Sequence, residues 1–85
     1  MAKFELVVRP SVVKDTKEIP AGELKKILQK MESLREDPRP PGCVKLAGMD
    51  YYRVRQGNYR ILYEIADAQL IVVVVKVGHR RDVYR

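Results

Sequence analysis

The chain has 85 residues, 46% of them hydrophobic and 33% charged, which suits one small domain over residues 1–85 and leaves no material for a second core. A single cysteine, Cys43, excludes an internal disulfide and fits a reducing compartment. The N-terminal Met1–Glu5 stretch lacks a signal-peptide core, and no apolar run approaches the ~20 residues of a membrane helix, so a cytoplasmic protein without a membrane partner is expected. The net charge of +6 is uneven, with nine Lys/Arg against seven Asp/Glu up to Val44 and eight against four beyond it; such an excess serves solubility or an anionic partner.

In chain order, Lys3 to Arg9 carries Phe4, Leu6, Val7 and Val8 and reads as a first strand stopped by Pro10. Ser11 is a candidate cap for a short helix running to about Glu18, with Val12 and Val13 as its apolar face, before Pro20 punctuates the chain. From Ala21 to Glu36, Leu24, Ile27, Leu28, Met31 and Leu34 draw one stripe on a helix, with Lys25, Lys26, Lys30, Glu32 and Arg35 on the other faces. A coiled-coil seam is the alternative, but so short a stripe is better suited to packing on a core. Asp37 to Gly42 holds three prolines and reads as a loop.

Val44 to Leu46 is a candidate short strand, and the remainder reads as a three-strand meander. Tyr51 to Gln56 and Tyr59 to Ala66 flank Gly57-Asn58, where glycine at the first central position suits a type II′ turn. The last strand, Leu70 to Val77, is apolar nearly throughout and is expected to be central and covered on both faces.

A two-residue turn fixes the pairing: Gln56 with Tyr59, Arg55 with Arg60, Val54 with Ile61, Arg53 with Leu62, Tyr51 with Glu64. Side chains alternate across a sheet, so one face collects Tyr52, Val54, Tyr59, Ile61, Tyr63 and Ile65, ready for the amphipathic helix. The other collects Tyr51, Arg53, Arg55, Arg60, Leu62 and Glu64. Like charges opposite each other destabilise a hairpin by a few tenths of a kcal/mol up to about 1. Arg55 facing Arg60 makes sense if an anion sits between them, because the planar guanidinium fork matches phosphate, or if Glu64 or another carboxylate neutralises the cluster.

After the valine strand comes Gly78-His79-Arg80-Arg81-Asp82-Val83-Tyr84, which sets guanidinium groups, an imidazole and a phenol where a sheet edge meets solvent. Together with Tyr51-Tyr52-Arg53-Val54-Arg55-Gln56-Gly57-Asn58-Tyr59-Arg60, this tail resembles the RelE branch of the RelE/ParE toxins of toxin-antitoxin systems. The resemblance spans essentially the whole chain. It implies an α+β, microbial ribonuclease-like fold with an N-terminal strand, two helices and an antiparallel meander.

The resemblance further implies a metal-independent endoribonuclease without cofactors that enters the ribosome, cleaves mRNA and inhibits translation. A separate antitoxin chain would neutralise it, in single pairs or dimers of pairs. Attack by a ribose 2′-hydroxyl on the adjacent phosphorus needs a proton acceptor, cations around the transition state and a donor to the departing oxygen. By position, Arg60 falls to phosphate stabilisation, Arg80 to the leaving-group side, and Tyr84 to base stacking or 2′-hydroxyl activation.

Arg53 and Arg55 stand where the best-known members carry lysines. Both can stabilise charge, but arginine is a poor general base. His79 is then the natural proton-transfer group, its alternative being a structural hydrogen-bonding residue; Tyr84 has an alternative as an aromatic anchor for the tail. Arg81 and Arg85 would face solvent or ribosomal RNA, and Lys45 could line the groove. Two other functions compete: a ParE-type toxin that poisons gyrase, and a non-catalytic basic module that binds RNA or antitoxin.

Overall fold

The structure is a computed structural model that describes residues 3–79. Its elements are β1 (Glu5–Val8), α1 (Pro10–Thr16), α2 (Ala21–Ser33), β2 (Val44–Lys45), β3 (Tyr52–Gln56), β4 (Tyr59–Ala66) and β5 (Ile71–His79). This is the expected α+β order of a strand, two helices and a meander. No helix among the described residues is long and apolar enough to cross a membrane.

Pro10 does more than end a strand. It is the first residue of α1, with Arg9 at the N-cap in an extended conformation and no side-chain cap, so Ser11 lies inside the helix rather than capping it. Proline suits that position because its missing N–H would have had no intrahelical partner, and its fixed φ is already helical. On α2, Ile27 and Met31 are buried, but Leu28 is 50% exposed and falls off the packing stripe. The amides of Leu34, Arg35 and Glu36 bond to carbonyls three residues back, which tightens the last turn and ends the helix ahead of Pro38.

The sheet runs β1-β5-β4-β3-β2. The hairpin register is the expected one, with Arg55 opposite Arg60 and Gln56 opposite Tyr59, but the ladder stops at Tyr52 opposite Tyr63 and does not reach Tyr51 and Glu64. Gly57 has φ +60° while Asn58 does not enter the positive-φ region, which is the type II′ pattern. β1 pairs in parallel with β5, from Glu5 opposite Ile71 to Val8 opposite Val74, so the first and last strands are neighbours.

β5 is central, as its composition predicts, but it is covered on one face only. Val72, Val74 and Val77 are buried while Val73 and Val75 are half-buried. The helices cover one side alone, and their core with the sheet comprises Val12, Ile27, Met31, Leu34, Val54, Ile61, Tyr63 and the three buried valines. Burial of branched apolar chains on this side is the main stabilising contribution.

The proline loop is tied to the same core. Tyr63, fully buried, donates its hydroxyl to the Pro38 carbonyl at 2.7 Å. Burial first, then hydrogen bonding with Cys43, pushes its phenol well above the ordinary range. Next to it Tyr52 stacks on Tyr63 with ring centroids 5.9 Å apart, and the Arg39 guanidinium lies 5.2 Å from the Tyr52 centroid. Arg39 also donates to both Asp67 oxygens at 3.0 and 2.9 Å. Those bonds hold the Asp67 carboxyl below its usual value.

Candidate functional site

Two rows of side chains cross the uncovered face of the sheet. In one, Arg55 of β3 stands opposite Arg60 of β4, which stands opposite Gly78 of β5; in the next, Val44, Arg53, Leu62 and Lys76 follow one another across β2 to β5. The hairpin arginines are therefore gathered on one side, as the turn arithmetic requires. Arg55 is exposed, and Arg53 and Arg60 are half-buried. A shallow depression of about 50 Å³ between Arg55, Gly57, Tyr59 and Arg60 marks the hairpin end of this face.

Leu62 is only 6% exposed although no helix covers it. Its neighbours in the row are Arg53 and Lys76, whose methylene stems are long enough to shield it while their charges reach water. Glu64, farther along β4, lies 3.5 Å from Arg9 at the end of β1. That carboxylate is thus engaged at the opposite end of the face from Arg55. β5 contributes no side chain beside Arg60, because Gly78 occupies the register position there.

A bulge decides which β5 residues join the arginines. Leu62 pairs with Lys76 and Tyr63 with Val74, so Val75 is an extra residue in β5. Strict alternation from the buried Val72 would send Lys76 and Gly78 toward the helices and His79 toward the arginines. The extra residue reverses that: Val77 and His79 go to the helix side, and Lys76 and Gly78 face the arginines. His79 accordingly sits opposite Tyr59, with the two rings edge to face at 5.7 Å.

On that helix side, His79 borders a cavity of about 240 Å³ between the end of α1 and the end of β5, together with Asp15, Glu18, Ile19, Tyr59 and Lys76. His79 and the hairpin arginines therefore lie on opposite sides of the sheet. Lys45 pairs with Tyr52, so it shares the face of Tyr52 and not that of Arg53. It borders a second cavity, of about 370 Å³, with Arg39, Asp50, Tyr52, Glu64 and Asp67.

Arg80, Arg81, Tyr84 and Arg85, assigned above to chemistry or RNA contact, lie outside the described residues. Lys76 is the residue the sequence reading missed. Its one signal was a lone cation within the run Ile71 to Val77, and its facing could not be known without the bulge.

The family model that matches residues 6–84 describes the ParE toxin of the type II toxin-antitoxin system parDE. A RelE toxin from Methanocaldococcus jannaschii is 32% identical over 87 aligned positions, covering 98% of this chain and 97% of that one. RelE from Pyrococcus horikoshii, solved in complex with RelB, superposes with a TM-score of 0.84 at 25% identity, over 96% of this chain and 99% of that one. The isolated Escherichia coli RelE toxin gives 0.77 at 27% identity, over 95% of this chain and 90% of that one.

Proposed function

This chain belongs to the RelE/ParE family of toxins of type II toxin-antitoxin systems, and we propose that it acts as a metal-independent, ribosome-dependent mRNA endonuclease in the cytoplasm. The observation that carries this reading is the pairing of Arg55 with Arg60, in a face that also holds Arg53, against the interest of hairpin stability. Three guanidinium groups in two adjacent rows form a cradle for phosphodiester oxygens.

The reaction is a transesterification. The 2′-hydroxyl loses its proton, its oxygen bonds to phosphorus, the P–O5′ bond breaks, and the 5′ oxygen takes up a proton. The products are a cyclic phosphate and a 5′-hydroxyl, with no co-reactant. Arg60 stabilises the negative oxygens of the transition state, with Arg53 and Arg55 holding the flanking charge. Tyr84 is assigned to the attacking 2′-hydroxyl and the stacked base, and Arg80 to charge on the leaving-group side. His79 is assigned to positioning the end of β5, through its contact with Tyr59. An antitoxin chain, as in the RelB-RelE antitoxin-toxin complex from Methanococcus jannaschii, would neutralise the toxin by covering it.

Added to a cell-free translation reaction, the protein is expected to cleave message within codons at the ribosomal A site. Translation continuing on intact message overturns the reading. A second reading rests on the family model, which is that of parDE toxins. Gyrase inhibition in a supercoiling assay with translation unaffected would select it. If Arg60→Ala changes neither activity, a non-catalytic binding module remains.

A further inference from the structure

Resting on the endonuclease reading, we propose that Lys76 is a catalytic residue: its ammonium gives the proton that the departing 5′ oxygen requires. The bulge at Val75 turns Lys76 onto the arginine face, where it shares a row with Leu62 and Arg53. It stands one position diagonally from Arg60 across β4 and β5, a separation of roughly 7–8 Å between backbones that long side chains span. Gly78, between Lys76 and the strand end, leaves the space beside Arg60 free of any β5 side chain.

The chemistry separates Lys76 from its neighbours. Arg53, Arg55 and Arg60 keep their protons at any working pH, so they stabilise charge but do not transfer hydrogen. An alkoxide leaving group needs a proton as the P–O bond breaks. Lys76 is the one lysine in the two rows that hold the arginines.

Its stem can shield Leu62, but that purpose needs no ammonium. Lys76 is half-buried in a central valine strand and makes no ion pair among the described residues. A plainer role would be an ion pair across the helix-side cavity with Asp15 or Glu18, but neither carboxylate is within 4 Å.

The test uses the full chain on ribosomes programmed with a short message. The scissile linkage is either the natural one or one whose 5′ bridging oxygen is replaced by sulfur. A thiolate departs without a proton, so the sulfur substrate bypasses a general acid. Lys76→Ala is expected to slow cleavage of the natural message about 100-fold, while cleaving the sulfur message within a few-fold of wild type. Lys76→Arg, which keeps the charge and the stem, is expected to behave in the same way.

Arg60→Ala should remain slow on both messages. Equal defects of the Lys76 variants on the two substrates, restoration of natural cleavage by arginine, or a wild-type rate in Lys76→Ala would each overturn the proposal and leave the endonuclease reading standing. A wild-type protein that cuts neither message overturns that reading, and the proposal with it.

Discussion

The two faces of the β3–β4 hairpin follow opposite rules. Toward the helices, Val54, Ile61 and Tyr63 are buried and their pairings are those a stable sheet prefers. Toward solvent, one residue out of phase on the same strands, Arg55 faces Arg60 and Leu62 lies buried in a row between Arg53 and Lys76. Because pleat alternation costs nothing, a single hairpin can carry a core on one side and a stability-indifferent working surface on the other. What that contrast teaches is that alternation must be held in phase, and the extra residue at Val75 is what holds it in β5.

Placing a charge on the core side of β5 is the most severe way to break the contrast. Val77→Lys would set an ammonium where the native side chain is 2% exposed, and an ion taken out of water costs on the order of several kcal/mol. That variant is expected not to fold, seen as loss of dispersed amide resonances, whereas deleting Val75 leaves Lys76 opposite Leu62 and Val77 opposite Ile61 in a regular ladder and should fold. A deletion variant that does not fold would show that the extra residue does more than set the phase.

Adjacent residues of β4 provide the next comparison. Ile61→Ala, on the core side, should lower unfolding free energy by about 2–5 kcal/mol in denaturant titration. Arg60→Ala, one position away, should leave stability within about 0.5 kcal/mol yet reduce cleavage by roughly 100- to 1,000-fold. If Arg60→Ala destabilised as much as Ile61→Ala, the two faces would not be separate in purpose.

How far the sequence anticipates this division depends on distance along the chain. Gly57-Asn58 alone determines the hairpin register and therefore which face Arg53, Arg55 and Arg60 share, because the turn is local and its glycine is needed at positive φ. The stripe on α2 is nearly as legible, with Leu28 misassigned because it lies at the margin of the buried arc. Pro10 both stops β1 and starts α1, since a proline prohibits an internal helical position but favours the first one.

The parallel neighbour of β5 and its bulge were not legible. The first arises from pairing between strands more than sixty positions apart, the second from the register of β5 against β4, and the run Ile71 to Val77 carries a local signal for neither. Without the extra residue, alternation along β5 cannot tell that His79 lies on the helix side and Lys76 on the arginine side.

Smaller effects sharpen the picture at the ends of β4. Leu70, in the turn between β4 and β5, has φ +56°, a left-handed conformation that costs a side chain with a Cβ roughly 1–2 kcal/mol. Leu70→Gly should therefore raise the thermal midpoint, and a lower midpoint would mean that the 40% exposed side chain matters more than the backbone. Tyr63→Phe removes the hydroxyl that satisfies the Pro38 carbonyl and is expected to cost about 1 kcal/mol. Because the native phenol is raised, wild-type stability should also decline as pH rises past the ordinary tyrosine range, and the phenylalanine variant should lack that decline.

Asp67 has the least to contribute, being fully exposed. Its carboxyl is lowered by Arg39, so its stabilisation is present above the ordinary aspartate range and is lost as pH falls through the native value. Asp67→Asn should flatten that acid limb slightly in urea titrations across pH 2 to 6, and an unchanged limb would show that the pair contributes nothing measurable.

The adjacency of β1 and β5 has a consequence for biosynthesis. β1 must wait for β5, made more than sixty positions later, so the nascent chain cannot close this sheet while β5 is still inside the exit tunnel. Lys76 and Gly78 take their places beside Arg53 and Arg60 only once β5 has emerged. Until then the growing polypeptide carries its hairpin guanidinium groups on an unfinished surface.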